Sequence, residues 1–138
     1  MHFLSDMALW ESFSEFVTPD GKISNATGES QIIINDNKIE NRSWVMLNGL
    51  KITNFYSIIK NTETNYTFLS ENPSLGIQKG IFSIDRNIIF SKFRIENSDM
   101  NGFEVIIRDN DICKAYGALY NGNELVNSWQ ATLKRKEK

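Results

Sequence analysis

The sequence predicts an all-β fold: a single up-and-down antiparallel barrel of about ten strands, with a short helical turn at the N-terminus. Nine turn signals rich in Asn, Asp, Gly and Pro divide the chain into ten strand-like runs. These runs are rich in Ile, Val, Phe, Tyr, Trp and Thr, which fit a pleated, half-buried surface. The turns recur roughly every 10–16 residues, a spacing typical of strands joined by hairpins. One domain covering residues 1–138 is therefore expected.

The first element allows two interpretations. Apolar residues with helical spacing stand at Phe3, Leu4, Met7, Trp10 and Phe13. From residue 9 the pattern alternates instead, with Trp10 and Phe16 on one face and Phe13 and Val17 on the other. We expect a short helical turn before residue 9 and then a strand to Val17. A single helix over residues 5–17 is the alternative.

The other nine strands are expected at residues 22–34, 37–47, 50–60, 64–70, 75–84, 88–96, 103–108, 112–120 and 124–134. The first of these is long and contains Gly28, where we expect a bulge or a sharp bend. Short turns make neighbours antiparallel, so the first and last of ten strands can pair and close the sheet. Ten strands enclose more space than eight, so a cavity is expected unless large side chains fill it. A two-sheet sandwich is the alternative architecture.

Alternation along the strands predicts which side chains point into the barrel. The expected inward apolar residues are Ile39, Val45, Leu47, Leu50, Ile52, Ile58, Phe68, Ile89, Phe93, Ile95, Phe103, Val105, Ile107, Leu125, Trp129, Ala131 and Leu133. The expected inward polar residues are all neutral: Asn41, Ser43, Asn54, Tyr56, Tyr66, Ser91 and Asn127. Glu104 and Arg108 are expected to point outward, so the predicted interior carries no charge. For strands 75–84 and 112–120, alternation does not decide which face points into the barrel.

Composition excludes several partners. The net charge of −2 and the pI of about 5.4 provide no basic excess for nucleic acid. No run approaches the roughly 18 apolar residues that a membrane span needs. We find no signal peptide and a single cysteine, Cys113, so a cytoplasmic location is expected. The basic cluster at residues 134–136 is expected to be a solvated terminus.

The residue types also argue against common catalytic chemistry. The only histidine is His2, beside the first methionine, so His-dependent triads and His-bearing metal sites are not expected. Cys113 is expected to be a small buried packing residue. The segment 109–111 begins like a calcium loop, but Lys114 and Tyr120 replace the required Gly and Glu. We predict no catalytic residue, no metal site and no cofactor.

Two features resemble the calycin superfamily, the group of lipocalin and fatty-acid-binding-protein barrels: Trp10 near the start of the first strand, and a ten-run meander over nearly the whole chain. Ala8-Leu9-Trp10 departs from the Gly-x-Trp of lipocalins, and the last strand lacks the Arg-x-Tyr pair of fatty-acid-binding proteins. The resemblance implies that a late basic residue, Lys134 or Arg135, packs over Trp10. The chain is similar to a divergent, bacterial-type calycin.

These observations favour a protein that binds a small apolar or neutral molecule inside the barrel. The predicted ligand-binding residues are Asn54, Tyr56, Tyr66, Asn127 and Trp129, with Trp44 and Tyr116 at the rim. Trp10 and Arg135 are expected to close the barrel. Two alternatives stay open. One is a barrel-type isomerase or cyclase, which needs an inward Asp or Glu beside tyrosine. The other is a packed interaction protein that exposes Trp44, Phe82 and Phe90. A non-catalytic function is favoured, and the sequence does not determine the oligomeric state.

Overall fold

The computed structural model describes residues 1–73 and 75–136, and within them it is all-β. Ten strands follow in chain order: β1 (Ala8–Val17), β2 (Ile23–Asn35), β3 (Lys38–Leu47), β4 (Leu50–Lys60), β5 (Asn65–Asn72), β6 (Gly76–Asp85), β7 (Ile88–Ile95), β8 (Met100–Asp109), β9 (Ile112–Asn121) and β10 (Glu124–Arg135). Each strand pairs antiparallel with its chain neighbours, and β1 pairs with β10 to close the barrel. The predicted fold class is confirmed, and closure rules out the sandwich.

The N-terminal segment forms a turn rather than a helix. The backbone N–H of Ser5 donates to the carbonyl of His2 at 3.1 Å, which closes one turn before β1 begins at Ala8. The helix over residues 5–17 is therefore wrong, and the strand interpretation is confirmed. No helix in the described part of the chain has the length and apolar character needed to cross a membrane.

Tight turns fix the register of the sheet. At the β3–β4 turn, Asn48 and Gly49 have φ values of 52° and 80°, the left-handed conformation that two-residue hairpins require. The flanking Leu47 and Leu50 consequently face each other directly. Gly28 pairs in regular register with both β1 and β3, so the expected bulge is absent there. The β3 backbone approaches Gly28 too closely to admit a Cβ atom. A register shift occurs instead between Leu125 and Asn127 on β10.

One half of the barrel interior is filled. This closed half lies at the end where β1 begins, and its side chains form one apolar cluster: Phe3, Leu4, Trp10, Ile32, Ile39, Ile58, Tyr66, Phe68, Phe82, Ile84, Ile89, Ile106, Cys113, Ala115 and Leu133. Phe3 and Leu4 come from the N-terminal turn, which covers this end as a plug. Cys113 is fully buried, so its predicted packing role is confirmed. Burial on this scale supplies the main driving force for folding.

A buried arginine ties the plug to the barrel. The Arg108 guanidinium lies 5.0 Å from the ring centre of Trp10, and it donates to Asp6 at 2.5 Å and to the His2 carbonyl at 3.0 Å. Arg135 donates to the other Asp6 oxygen at 2.8 Å. The prediction that Lys134 or Arg135 packs over Trp10 is wrong, because Arg108 from β8 occupies that position. Arg135 instead helps to close the barrel through Asp6.

The basic cluster at the end of β10 is also held in place. Lys136 donates to Glu29 at 2.6 Å, and its backbone N–H bonds the carbonyl of Leu9 at 2.8 Å. The Lys134 ammonium lies 5.8 Å from the ring centre of Phe13 on the outer surface. The expectation of a solvated, frayed terminus is therefore wrong in one respect: residues 134–136 are not frayed, although Lys134 is exposed. Glu137 and Lys138 lie outside the described part of the chain.

Most predicted inward faces are confirmed, and β8 is the exception. Phe103 and Ile107 are 43% and 37% exposed, whereas Arg108 is only 5% exposed. The inward residues of β8 are therefore Gly102, Glu104, Ile106 and Arg108, which reverses the prediction. Leu50 and Leu125 are 70% and 41% exposed, because they lie near the first residues of β4 and β10, at the end of the barrel where β1 ends. The structure also decides the two strands whose inward face the sequence did not predict. On β6 the inward face bears Gln78 and Phe82, and on β9 it bears Cys113 and Gly117.

Candidate functional site

The second half of the barrel interior keeps access to solvent. Its inward side chains are mostly half-buried, unlike the filled closed half: Asn41, Ser43, Val45, Ile52, Asn54, Tyr56, Glu104, Asn127 and Trp129. Ser70 and Gln78 are the buried polar residues on its β5–β6 wall. We call this region the open half. An inward-facing surface that combines apolar and polar side chains and stays partly accessible is a candidate small-molecule site.

A hydrogen-bonded group of neutral side chains occupies one wall of the open half. The Ser70 hydroxyl donates to the Asn54 side-chain oxygen at 2.5 Å, and the Asn54 amide donates to the Tyr56 hydroxyl at 3.3 Å. Ser43 on β3 donates to the Asn54 backbone carbonyl at 3.2 Å. The Tyr56 ring packs on Phe68, with ring centres 5.4 Å apart, at the boundary with the closed half. These contacts hold Asn54 and Tyr56 in fixed orientations toward the interior.

Glu104 faces this group from the opposite part of the sheet. The indole nitrogen of Trp129 donates to Oε2 of Glu104 at 2.7 Å. The Trp129 ring also lies 6.2 Å, centre to centre, from Phe16 on β1. Glu104 pairs across the sheet with Ser91 and Gly117, two small residues that leave room around its side chain. The prediction that the interior carries no charged residue is therefore wrong.

The surroundings of Glu104 shift two pKa values in the same direction. Burial raises the pKa of Glu104, and the hydrogen bond from Trp129 only partly offsets this effect. Burial likewise raises the pKa of Tyr56, and the neighbouring Glu104 charge adds to the increase. Both groups are thus more readily protonated than in water, and each can donate a hydrogen bond over a wider pH range.

The structure brings together three of the predicted ligand-binding residues. Asn54, Tyr56 and Trp129 all face the open half. Asn127 faces inward nearer the end of the barrel where β1 ends, and within residues 1–73 and 75–136 its buried side-chain oxygen has no hydrogen-bond partner. Tyr66 lies apart, in the closed half, with its hydroxyl 3.4 Å from the His2 ring and 2% of its surface exposed.

Trp44 and Tyr116, the two rim residues, lie on the outer face of the barrel. Trp44 lines an outer groove of about 310 Å³ and packs against the Lys51 ammonium, 5.0 Å from the ring centre. Tyr116 is 47% exposed and lines an outer groove of about 460 Å³. Strand alternation points both rings away from the interior, so a ligand inside the barrel would not contact them. Within residues 1–73 and 75–136, no three His, Cys, Asp or Glu side chains come close enough to hold a metal ion.

Sequence reasoning missed Glu104 and Ser70. Ser70 follows Tyr66 and Phe68 in alternation, so extending that face by one step would have found it. Glu104 was missed because Phe103, Val105 and Ile107 form the more apolar face of β8. The short β8–β9 turn pairs Glu104 with Gly117 and Arg108 with Cys113. Choosing the small face of β9 as inward would therefore have placed Glu104 inside.

Comparison with known proteins identifies the architecture. No protein-family model matches the chain, and no curated protein matches it in sequence. Rv2717c from M. tuberculosis is similar in structure, with a TM-score of 0.75 and 11% identity over 95% of this chain and 92% of that one. The S-type phycobiliprotein lyase CPES from Guillardia theta has a TM-score of 0.66 and 9% identity, over 96% of this chain and 89% of that one.

At these identities the likeness shows the fold alone. Both neighbours share the fold of this chain, and the antiparallel barrel that the predicted resemblance implies is therefore confirmed as an architecture.

Proposed function

We propose that this protein binds a small organic molecule inside the open half of its barrel. The observation that carries the proposal is the contrast between the two halves of one interior. Trp10 and Ile89 in the closed half have no exposed surface, whereas Asn54, Tyr56 and Trp129 keep part of theirs. Protein interiors are normally close-packed throughout, so a barrel with only a structural role would be expected to fill both halves with side chains.

The lining indicates the kind of molecule. Val45 and Ile52 offer apolar walls, and Phe16 and Trp129 add aromatic surface. Polar side chains, among them Asn54, Tyr56 and Glu104, outnumber these apolar ones, which suits a ligand that combines an apolar part with several hydrogen-bonding atoms. The fold of CPES, which is named as a phycobiliprotein lyase, is compatible with ligand binding in such a barrel.

A titration with the neutral dye Nile red tests the proposal. We expect a saturable rise in dye fluorescence with the wild-type protein. Ser43→Phe places a ring inside the open half and should abolish that rise. Arg42→Phe places the same ring on the outer face one residue away, and it should leave the titration unchanged.

Saturable binding that survives in Ser43→Phe would place the dye outside the barrel and overturn the proposal. Failure of the wild-type protein to bind would favour the packed interaction protein instead. Phe90, 46% exposed, would then belong to its outer surface, but Phe82, 6% exposed, would not.

A second candidate function is an isomerase or cyclase of the barrel type. One observation favours it: Glu104 supplies the inward carboxylate that such chemistry needs, and Tyr56 supplies a phenol facing the same space. Incorporation of deuterium from D₂O next to the carbonyl group of small ketones, followed by NMR, tests this function. Exchange that Glu104→Gln removes would support it, and equal exchange with both proteins would count against it.

A further inference from the structure

Glu104 has an unusual position for a carboxylate. It projects from the middle of β8 into the barrel, where Gly102 and Ile106 are its inward neighbours on the same strand. It lies deep in the protein, and yet part of its side chain remains accessible. Because the side chain points into the barrel, a ligand would reach it through the interior.

In the described part of the chain, no cation neutralises Glu104. Across residues 1–73 and 75–136 it takes part in no ion pair, and its one side-chain hydrogen bond comes from Trp129. Arg108, the cation on the same inward face, is already engaged with Asp6 and the His2 carbonyl. The titratable group that faces Glu104 from β4 is Tyr56, which carries no positive charge. A buried carboxylate without a counter-charge is costly, and a positive partner would remove that cost.

The surroundings of the carboxylate suit an organic cation. The Trp129 bond uses Oε2 and leaves Oε1 available. The same indole turns its N–H edge to the carboxylate, and the Phe16 ring lies 6.2 Å, centre to centre, from that indole. The charge of the carboxylate attracts an ammonium group, and the two rings offer aromatic surface to the rest of the ligand.

Two further acceptors point to a ligand rich in N–H groups. The side-chain oxygens of Asn41 and Asn127 are buried and have no hydrogen-bond partner among the residues that the structure describes. Both residues face the interior, on β3 and β10 respectively. Unpaired acceptors of this kind are stabilised by a donor, and a protonated amine is a donor without acceptor capacity.

We propose that Glu104 is the recognition group for an organic cation, a small molecule whose apolar body carries a protonated amine or a similar nitrogen donor. This inference rests on the proposed function, since it names the class of ligand that the open half takes. It also sets the barrel apart from one that captures a fatty acid, because a carboxylate ligand would be repelled by Glu104.

Three dansyl probes with tails of equal length test the inference. The tails end in an ammonium group, a methyl group or a carboxylate, so only the terminal charge differs. We expect the ammonium probe to bind wild-type protein roughly 10- to 100-fold more tightly than the methyl probe, and the carboxylate probe to bind least. Glu104→Gln should abolish the preference while the methyl probe still binds. Glu11→Gln, on the exposed face of β1, is the matched control and should keep the preference.

A pH series on the wild-type protein gives a second measurement that needs no substitution. The preference for the ammonium probe should vanish as the pH falls through the raised pKa of Glu104, because the amine stays charged and the carboxyl does not.

The outcomes separate the two proposals. Equal binding of all three tails, or a preference that survives in Glu104→Gln, would overturn the recognition of a cation and leave the binding function standing. Failure of every probe to bind the wild-type protein would overturn both.

Discussion

The indole ring of Trp129 lies directly against Gly117, its partner across the β9–β10 pair. A Cβ on residue 117 would come within 2.5 Å of Cε2 of Trp129 and 2.7 Å of the Phe103 carbonyl oxygen. Real Cβ atoms do not approach other atoms this closely, so the absent side chain makes room for the ring. Gly117 thereby positions Trp129 where it can donate to Glu104.

Gly117→Ala should consequently disturb the open half. The added methyl group must displace both a ring and a backbone carbonyl, so we expect the free energy of unfolding to fall by about 1–3 kcal/mol. Urea denaturation followed by tryptophan fluorescence measures this change. Gly122→Asn is the control, since residue 122 has φ of 59° and open space around it. Unchanged stability in Gly117→Ala would contradict the close packing described above.

Arg108→Met should weaken the closed end strongly. The substitution removes the hydrogen bonds to Asp6, to the His2 carbonyl and to the Asn110 carbonyl. Breaking a buried pair from one side commonly costs roughly 3–5 kcal/mol. Arg86→Met is the matched control, because its side chain is 79% exposed and should contribute less than about 0.5 kcal/mol. Similar melting temperatures for the two variants would show that Arg108 does not hold the plug.

Stability should decline as the pH falls from about 6.5 to 4. Burial, together with the charge of the N-terminal amine, lowers the pKa of His2 to about 4 from the ordinary 6.5. Between these values the unfolded chain binds a proton that the folded protein does not, so acid favours unfolding. Glu104 acts with the opposite sign, because its raised pKa favours the folded state at low pH.

The His2→Gln variant isolates the histidine contribution. Thermal unfolding of both proteins across this pH range should show a shallower decline for His2→Gln. Parallel curves for the two proteins would mean that His2 does not titrate differently on folding.

Tyr56→Phe and Tyr66→Phe should differ in their effect on ligand binding. Tyr56 lines the open half, and its hydroxyl accepts a hydrogen bond from Asn54, so its loss leaves that amide unpaired. We expect the Kd for Nile red to change on the order of 3- to 10-fold in Tyr56→Phe. Tyr66→Phe should leave the Kd within about 2-fold, because Tyr66 lies in the filled half. The reverse order of effects would place the ligand at the closed end.

The barrel could be predicted because turn residues and strand alternation are local properties. Asn48 and Gly49 adopt the left-handed conformation that their chemistry favours, and comparable turns mark the other strand boundaries. The inward face of β3 likewise follows from alternation, with Ile39, Asn41 and Val45 on one side.

The contents of the interior were harder to predict, because they depend on long-range contacts. Alternation alone favours burying Phe103, Val105 and Ile107, but Arg108 must face inward to meet Asp6 and cover Trp10. That requirement comes from residues about one hundred positions away in the chain. Pairing with β9 also determines the inward face of β8, since directly opposite residues on paired strands lie on the same face of the sheet.

The division of the interior into a closed half and an open half also affects how the sequence of this protein could evolve. Side chains such as Trp10 and Ile89, which secure the fold, are separate from those such as Asn54 and Trp129, which line the accessible space. The two groups occupy different lengths of the barrel and meet where the Tyr56 ring packs on Phe68, so substitutions away from that contact need not disturb the first group. A lineage of such barrels could therefore exchange one ligand for another while its scaffold persists, and a library of variants confined to the open half would sample new specificities among proteins that still fold.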